Sequence, residues 1–201
     1  MKFKESAIAH KYLDGLEGIE IGAAAHNPFG LNCKNVDYTD SLDTVFKKGE
    51  IILCGETAKV DIVAEGDDLP LEDKSVDYVI SSHVIEHFYD PVKAMKEWAR
   101  VARKYILIIC PHAYRIPDEK RPITELSEII ARHEGDKPKP NLEGGHNISA
   151  VSGLPLYDRG HYSVWDTEAF LKVCKHYGFK VVESLDADDK VGNGFLVIIE
   201  L

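Results

Sequence analysis

Residues 18–38 constrain the fold of this chain more than any other segment. They read GIEIGAAAHNPFGLNCKNVDY: a short apolar run, a turn of very small residues, and a second apolar run that ends at an acid. The first run stops at Gly22 and is rich in isoleucine, which is typical of a central strand in a parallel sheet. The alanines at positions 23–25 let backbone N–H groups approach a bound ligand. Asp37 ends the second run, where a carboxylate is placed to hold a ribose diol. An ordinary tight turn followed by a solvated aspartate gives the same pattern.

Apolar strands alternate with amphipathic helices along the rest of the chain. Strands are predicted at residues 51–54, 60–63, 76–80 and 105–110, with a closing antiparallel hairpin at 179–185 and 194–201. Helices are predicted at residues 4–14, 41–48, 91–104, 123–133 and 167–177. Because residues 105–110 are apolar on both faces, the pattern indicates an α/β fold with a parallel sheet covered on both sides.

Composition limits the classes of protein that this chain can represent. Its 201 residues are 44% hydrophobic, which suits one globular domain spanning residues 1–201. The net charge of −10 argues against nucleic acid as a partner, because nucleic-acid binding needs a basic face. The four cysteines form no CxxC pair and are expected to be reduced. No apolar stretch of 18 residues and no signal-peptide pattern occur, so we expect a cytoplasmic protein without membrane contact.

Five segments together resemble a known family. They are EIGAAA, VDY, AEGDDLPLEDKSVDYVISSHVIEH, YILIICP and HYSVWDTEAFLKVCKHYGFKVVE. In this order they look like a class I S-adenosylmethionine-dependent methyltransferase of the small type-11 kind, with residues 112–164 unmatched. The resemblance implies a Rossmann-like three-layer sandwich whose mostly parallel seven-stranded sheet has an antiparallel last strand. It also implies S-adenosyl-L-methionine as cofactor and a small-molecule methyl acceptor, in the family a sugar or polysaccharide precursor among others. The loop and helix of residues 112–164 then become an insertion that forms a lid on the acceptor side.

The resemblance assigns site residues by position. The first motif falls on Glu20, Gly22, Ala23, Ala24 and His26, the ribose acid on Asp37 with Tyr38, the adenine contacts on Glu65, Gly66 and Asp67, and the floor near the sulfonium on Ser82, His83 and Val84. Alanine and histidine replace two of the three usual motif glycines, so the first loop departs from the family pattern. Since the usual adenine acid is an aspartate, Asp67 competes with Glu65 for that role. The acidic side chains suit a cationic sulfonium.

A base that removes the acceptor's proton is sought among four histidines. His112 is the preferred candidate, because it follows a parallel strand at the carboxyl edge where such sheets bind ligands. His83, His146 and His161 are the other candidates. Each of the four is also explained by a structural role in a hydrogen-bond network.

Three other functions remain open at this point. Residues 83–87 read HVIEH and match HxxEH, the inverted zinc-peptidase signature, although the helix start at Asp90 and Pro91 leaves little room for the required helix. The glycine-poor first loop is also compatible with a methyltransferase-like protein that binds a ligand without catalysis. A nicotinamide dinucleotide is a weaker alternative, because the GxGxxG pattern is absent.

Overall fold

A computed structural model describes residues 1–116, 121–139 and 160–201. The seven-stranded sheet has the strand order β3-β2-β1-β4-β5-β7-β6. Its strands are β1 (Gly18–Ile21), β2 (Cys33–Asp37), β3 (Ile62–Val63), β4 (Val76–Ser82), β5 (Ala102–Pro111), β6 (Lys180–Leu185) and β7 (Gly194–Glu200). Only β7 runs antiparallel to its neighbours. The expected Rossmann-like α/β sandwich with an antiparallel last strand is therefore confirmed.

Five α-helices occur in the described part of the chain. They are α1 (Ala7–Leu13), α2 (Val45–Cys54), α3 (Pro91–Val101), α4 (Leu126–His133) and α5 (Thr167–His176). A 3₁₀ turn at Ile85–His87 joins β4 to α3. None of these helices combines the length and apolarity needed to cross a membrane.

The sheet separates two hydrophobic clusters. The larger one holds the buried faces of α3, α4 and α5 and includes Trp98, Trp165 and Phe170. The smaller one lies under α1 and includes Tyr78, whose ring covers Gly18 of β1 so closely that a Cβ there would lie 2.4 Å from it. The central strands are buried on both sides, which explains why their sequences are almost purely apolar.

Helix α3 begins at Pro91, where the sequence predicts its start. The side chain of Asp90 accepts a hydrogen bond from the backbone N–H of Lys93 at 2.9 Å, and Pro91 occupies the first helical position. The helix ends at Val101, earlier than predicted, because Ala102 already has extended backbone dihedrals and begins β5. The ammonium of Lys74 binds the carbonyls of Ala99 and Ala102 and so satisfies the end of the helix.

The prediction of a strand at residues 51–54 is wrong. These residues form the last turn of α2, and the predicted helix at 41–48 begins later, at Val45. Thr44 caps the helix by accepting from the N–H of Lys47, and Gly55 ends it with a left-handed φ of +82°. Ile51 and Ile52 remain largely exposed, at 47% and 63%. The local caps therefore outweigh the weak strand preference of two isoleucines.

The expected insertion lies partly outside the described residues. Residues 117–120 and 140–159 lie outside the described residues. The candidate base His146 falls in the second of these ranges. The described portion contains α4 and the segment 160–165, which returns to the sheet where His112 and Trp165 form an isolated parallel bridge.

Candidate functional site

The loops that carry the predicted site residues meet at one edge of the sheet. They follow the carboxyl ends of β1, β2, β3 and β4. The strand order changes direction between β1 and β4, and parallel sheets bind ligands in the crevice at such a point. The topology therefore brings the first loop and the end of β4 to the position expected for a ligand.

Gly22 is needed at the end of β1 for two independent reasons. Its φ is +67°, in the left-handed region, and a Cβ at this position would lie 2.9 Å from Cγ2 of Val84. The first loop is thereby packed directly against the turn that follows β4. Two residues assigned from separate motifs, Gly22 and Val84, are in contact.

The small residues after Gly22 are partly engaged by the protein itself. The N–H of Ala23 donates to Oδ1 of Asn35 at 3.0 Å, and the N–H of Ala25 donates to Oε2 of Glu50 at 2.9 Å. Contrary to the expectation that the N–H groups of residues 23–25 approach a ligand, those of Ala23 and Ala25 are already hydrogen-bonded within the protein. The N–H of Asn27 returns to the carbonyl of Ala24 at 2.9 Å and closes the turn.

A buried ionic network connects the first loop with the predicted ribose acid. Nζ of Lys47 lies 2.8 Å from Glu50 and 3.5 Å from Oδ2 of Asp37. Burial raises the pKa of Asp37, and Lys47 opposes this effect. Backbone amides of Tyr38 and Thr39 also favour the charged form of this carboxyl.

Lys47 and Glu50 were missed by the sequence analysis. The sequence does contain a sign of this pair: Lys47 and Glu50 have opposite charges and lie three positions apart, a spacing that places two side chains on the same side of a helix. The predicted helix ended at residue 48, so Glu50 fell between that helix and the strand predicted at residues 51–54, and the pairing with Lys47 was not recognised.

Glu20 does not supply the negative charge expected of it. Its side chain is buried near Cys33, whose Sγ lies 3.9 Å from Oε2. Burial raises the pKa of Glu20 to about 8, while the ammonium of Lys190 acts in the opposite direction. The carboxyl is therefore mostly protonated at neutral pH.

The end of β4 holds two polar residues in unusual environments. Oγ of Ser82 accepts a hydrogen bond from Nδ2 of Asn27 at 3.1 Å, so the first loop is tied to β4. His83 has a left-handed φ of +56°, which is strained for a residue with a side chain. Burial lowers the pKa of His83 to about 4, and nearby His161 and His26 act in the same direction. The imidazole is therefore neutral at pH 7.

The two candidate adenine acids, Glu65 and Asp67, lie in the loop after β3 and have different surroundings. The carboxylate of Asp67 forms an ion pair with Lys93 of α3 at 3.0 Å, whereas Glu65 lies exposed at the edge. Between them, Gly66 is buried, and a Cβ there would lie 2.7 Å from Ile21. The carbonyl of Gly66 accepts from the indole N–H of Trp98 at 2.7 Å, which fixes the loop on α3. Both Asp67 and the carbonyl of Gly66 are therefore held by side chains of α3.

His112 has structural partners on both ring nitrogens. Its Nε2 lies 3.3 Å from Oδ1 of Asp186, and its Nδ1 accepts the backbone N–H of Tyr114 at 3.3 Å. The ring packs edge-on against Phe195 of β7. These contacts tie the end of β5 to neighbouring segments and do not favour the role of base expected from the sequence.

Unsatisfied polar atoms gather at the same edge of the sheet. Within the described residues, the buried atoms there that lack a hydrogen-bond partner are Nδ1 of His26, Oδ1 of Asn27, Oγ of Ser81, Nε2 of His83, Oε1 of Glu86 and Oδ1 of Asn193. Buried polar groups are nearly always hydrogen-bonded in folded proteins, so such a concentration indicates a site for a polar ligand. The residues present therefore fit a polar cofactor at this edge.

Comparisons with known proteins bear on the family and the fold of the chain. Residues 18–110 match the family model of a methyltransferase domain. No curated protein matches the chain. A solved SAM-dependent methyltransferase from Methanosarcina mazei is similar with a TM-score of 0.53 at 12% identity, over 100% of this chain and 98% of that one.

Two further solved structures are similar over most of their length. A protein from Pyrococcus horikoshii has a TM-score of 0.52 at 19% identity, over 96% of this chain and 85% of that one. A SAM-dependent methyltransferase from Thermotoga maritima has a TM-score of 0.50 at 18% identity, with coverages of 94% and 83%. At these identities the likeness is one of fold.

Proposed function

We propose that this chain, a class I S-adenosylmethionine-dependent methyltransferase by its fold and by the family of residues 18–110, methylates a small molecule. The acceptor class suggested by the family resemblance is a sugar or a polysaccharide precursor. The observation that carries the proposal is the group of unsatisfied buried polar atoms between the first loop and the end of β4. It lies beside Gly22, in the first loop that we propose as the cofactor loop.

The cofactor-binding residues are proposed from their positions at this edge. Asp37 and Tyr38 hold the ribose, and Glu65 with Gly66 contacts the adenine, leaving Asp67 to its ion pair with Lys93. The methionine part lies against the first loop, for which the proposed contacts are Ala23, Ala24 and His26. Ser82, His83 and Val84 form the floor near the sulfonium. The remaining first-motif residues, Glu20 and Gly22, shape the loop without contacting the cofactor.

S-adenosylmethionine, when bound, supplies an electrophilic methyl group on a good leaving group. The protein therefore mainly aligns the acceptor with that methyl group and excludes water. Two of the histidines that the sequence offers as the base come into consideration: His112, which the sequence prefers, and His83. We prefer His83, because its buried Nε2 has no hydrogen-bond partner within the described residues, whereas Asp186 and Tyr114 already engage His112.

Titration calorimetry with S-adenosylhomocysteine tests cofactor binding, and transfer of a labelled methyl group to a panel of sugars and nucleotide sugars tests the reaction. We expect saturable binding of one ligand per chain and label transfer to at least one hydroxyl compound. Absence of binding at millimolar ligand to a folded sample would overturn the proposal and favour the non-catalytic alternative. With an acceptor that the parent protein methylates, the His83→Asn variant should have a lower turnover than the His112→Asn variant.

A further inference from the structure

Three metal-ligating side chains converge just beyond the end of β4. Glu86 and His87 lie on the 3₁₀ turn, and His161 reaches them from the segment that precedes α5. Oε1 of Glu86 lies 3.8 Å from Nε2 of His87 and 3.9 Å from Nε2 of His161. The three ligand atoms all lie within 4.8 Å of one another, and this is the only such group within the described ranges of the chain.

The backbone holds these three side chains in place from several directions. The N–H of Tyr162 donates to the carbonyl of Glu86 at 2.8 Å, so the segment carrying His161 is fixed to the turn. Arg132 of α4 binds the carbonyl of Tyr162 at 3.0 Å, and Arg121 binds the carbonyl of His161 at 2.7 Å. The convergence is therefore part of the packed structure, in which distant segments of sequence meet.

The carboxyl of Glu86 provides a second, independent indication of a ligand. Its side chain is only 2% exposed, and Oε1 has no hydrogen-bond partner within the described residues. The other oxygen, Oε2, is approached by the Sγ of Cys110 at 3.9 Å, which is a weak donor. A buried carboxyl oxygen between two imidazoles lacks the cation or donor that such atoms normally have.

We propose that Glu86, His87 and His161 form a binding site for a divalent first-row transition-metal ion. Two imidazoles and one carboxylate are ligands suited to Zn²⁺, Mn²⁺ or Fe²⁺. A tetrahedral ion with bonds of about 2.1 Å separates its ligand atoms by roughly 3.4 Å, so small side-chain rotations from the observed distances complete the site. Three protein ligands leave a coordination position open, which is the arrangement of catalytic rather than structural sites.

This site differs from the HxxEH zinc-peptidase arrangement considered from the sequence. In that motif the first histidine is a ligand and lies one helical turn before the second. Here the chain between them forms a 3₁₀ turn, and His83 is not a member of the group. His161, from a distant part of the sequence, takes the place of His83.

The role of the ion rests on the proposed function. A narrow cleft of about 10 Å³ lies beside Glu86 and His161, between Pro111 and Ala113 at the carboxyl end of β5 and Ser163 of the segment before α5. An ion held by Glu86, His87 and His161 would leave one coordination position for a hydroxyl oxygen of the acceptor and would polarise that hydroxyl. In the transfer, that oxygen forms the bond to the methyl carbon, the sulfur keeps the electron pair of the broken C–S bond, and the hydroxyl proton passes to the proposed base, His83.

Metal binding is tested on the full chain after chelator treatment and dialysis. Calorimetric titration with Zn²⁺ and with Mn²⁺, followed by elemental analysis, should give one tightly held ion per chain for at least one metal. Co²⁺ should produce a visible absorption spectrum of low-coordinate ligation. No stoichiometric binding of any of the three ions would overturn the site.

Variants locate the site. Glu86→Gln, His87→Ala and His161→Ala should each weaken binding by more than about tenfold. His176→Ala, an exposed histidine on α5, is the matched control and should bind as the parent does. Circular dichroism checks that each variant is folded. His161→Ala is the decisive variant, because the side chain of His161 is 27% exposed and its loss should disturb the packing least. Equal affinity of His161→Ala and the parent would overturn the assignment.

The two proposals fail separately. If the folded parent binds S-adenosylhomocysteine but no metal, the metal site is refuted and the proposed function stands. If it binds the metal but not S-adenosylhomocysteine, the proposed function and the role of the ion are refuted and the metal site stands. If both bind, methylation of hydroxyl acceptors should fall at least tenfold in the chelated protein and return with the ion; unchanged activity refutes the role.

Discussion

The ammonium of Lys47 lies 3.5 Å from the carboxylate of Asp37, so the proposed ribose acid already has a cationic partner within the protein. Lys47 is itself buried and lies closer to Glu50, at 2.8 Å. The network holds Asp37 in position and supports its charged form against burial. It also links that acid to the first loop, through the hydrogen bond from Ala25 to Glu50.

Asp37→Ala should weaken binding of S-adenosylhomocysteine by roughly 1.5 to 3 kcal/mol, the range for hydrogen bonds to a charged group. Calorimetry of the parent and the variant measures this difference. Asp40→Ala is the matched control, because Asp40 is an exposed carboxylate close by in sequence. Equal affinities of the parent and Asp37→Ala would remove Asp37 from the cofactor site.

Lys47→Met should lower the free energy of unfolding by about 3 to 5 kcal/mol, because it leaves the buried carboxylate of Glu50 without its cation. Urea unfolding at pH 7 measures the loss. Lys48→Met, at a half-exposed lysine on the same helix, should change stability little. The double variant Lys47→Met with Glu50→Gln should lose less than the sum of the single variants, since it removes both charges. Additive losses would show that the two residues are not coupled.

Gly22→Ala should destabilise the fold more than Gly15→Ala does. Both glycines have a left-handed φ, +67° and +75°, which costs an alanine about 1 to 2 kcal/mol. Only at Gly22 would the added Cβ also meet a neighbour, Cγ2 of Val84, at 2.9 Å. The closer contact should add about 1 kcal/mol or more, in the range for overpacked sites. Urea unfolding of the two variants tests the difference, and equal losses would rule out the contact with Val84.

The elements predicted correctly are those whose signals are local. The strands β1, β4 and β5 each contain a short buried apolar run, and α3 begins at an acid followed by proline. The strand predicted at residues 51–54 failed because β-branched residues have only a weak strand preference. There the caps Thr44 and Gly55 decide the outcome.

The site was less predictable because its geometry depends on contacts between distant segments. Gly22 and Val84, which the sequence assigned to the site from separate motifs, lie together in the structure. It gave no indication that Glu20 is buried and mostly protonated, or that Asp186 would engage His112. The approach of His161 to Glu86 depends on a segment that shows no periodicity in the sequence. These properties depend on burial and on tertiary partners, and neither can be predicted from the local sequence.

Glu20→Gln should change how stability depends on pH. Burial raises the pKa of Glu20 from its ordinary value of 4.5 to about 8, so the folded state holds a proton that the unfolded chain releases over this range. The contribution of this group is complete below pH 4.5 and is lost as the pH rises to about 8. Since each pKa unit corresponds to about 1.4 kcal/mol, the loss amounts to a few kcal/mol. Glutamine keeps the neutral form at every pH and should abolish this loss.

Urea unfolding at pH 5 and at pH 8.5 tests this prediction. The stability of Glu20→Gln relative to the parent should increase between the two values, because only the parent must bury an ionising carboxyl at high pH. Glu17→Gln, at an exposed glutamate of the same segment, should show no such increase. Lys190 limits the size of the effect, since its ammonium stabilises the charged form of Glu20. A constant difference between the parent and Glu20→Gln at both pH values would mean that Glu20 ionises normally, and its carboxylate would then be available to the sulfonium after all.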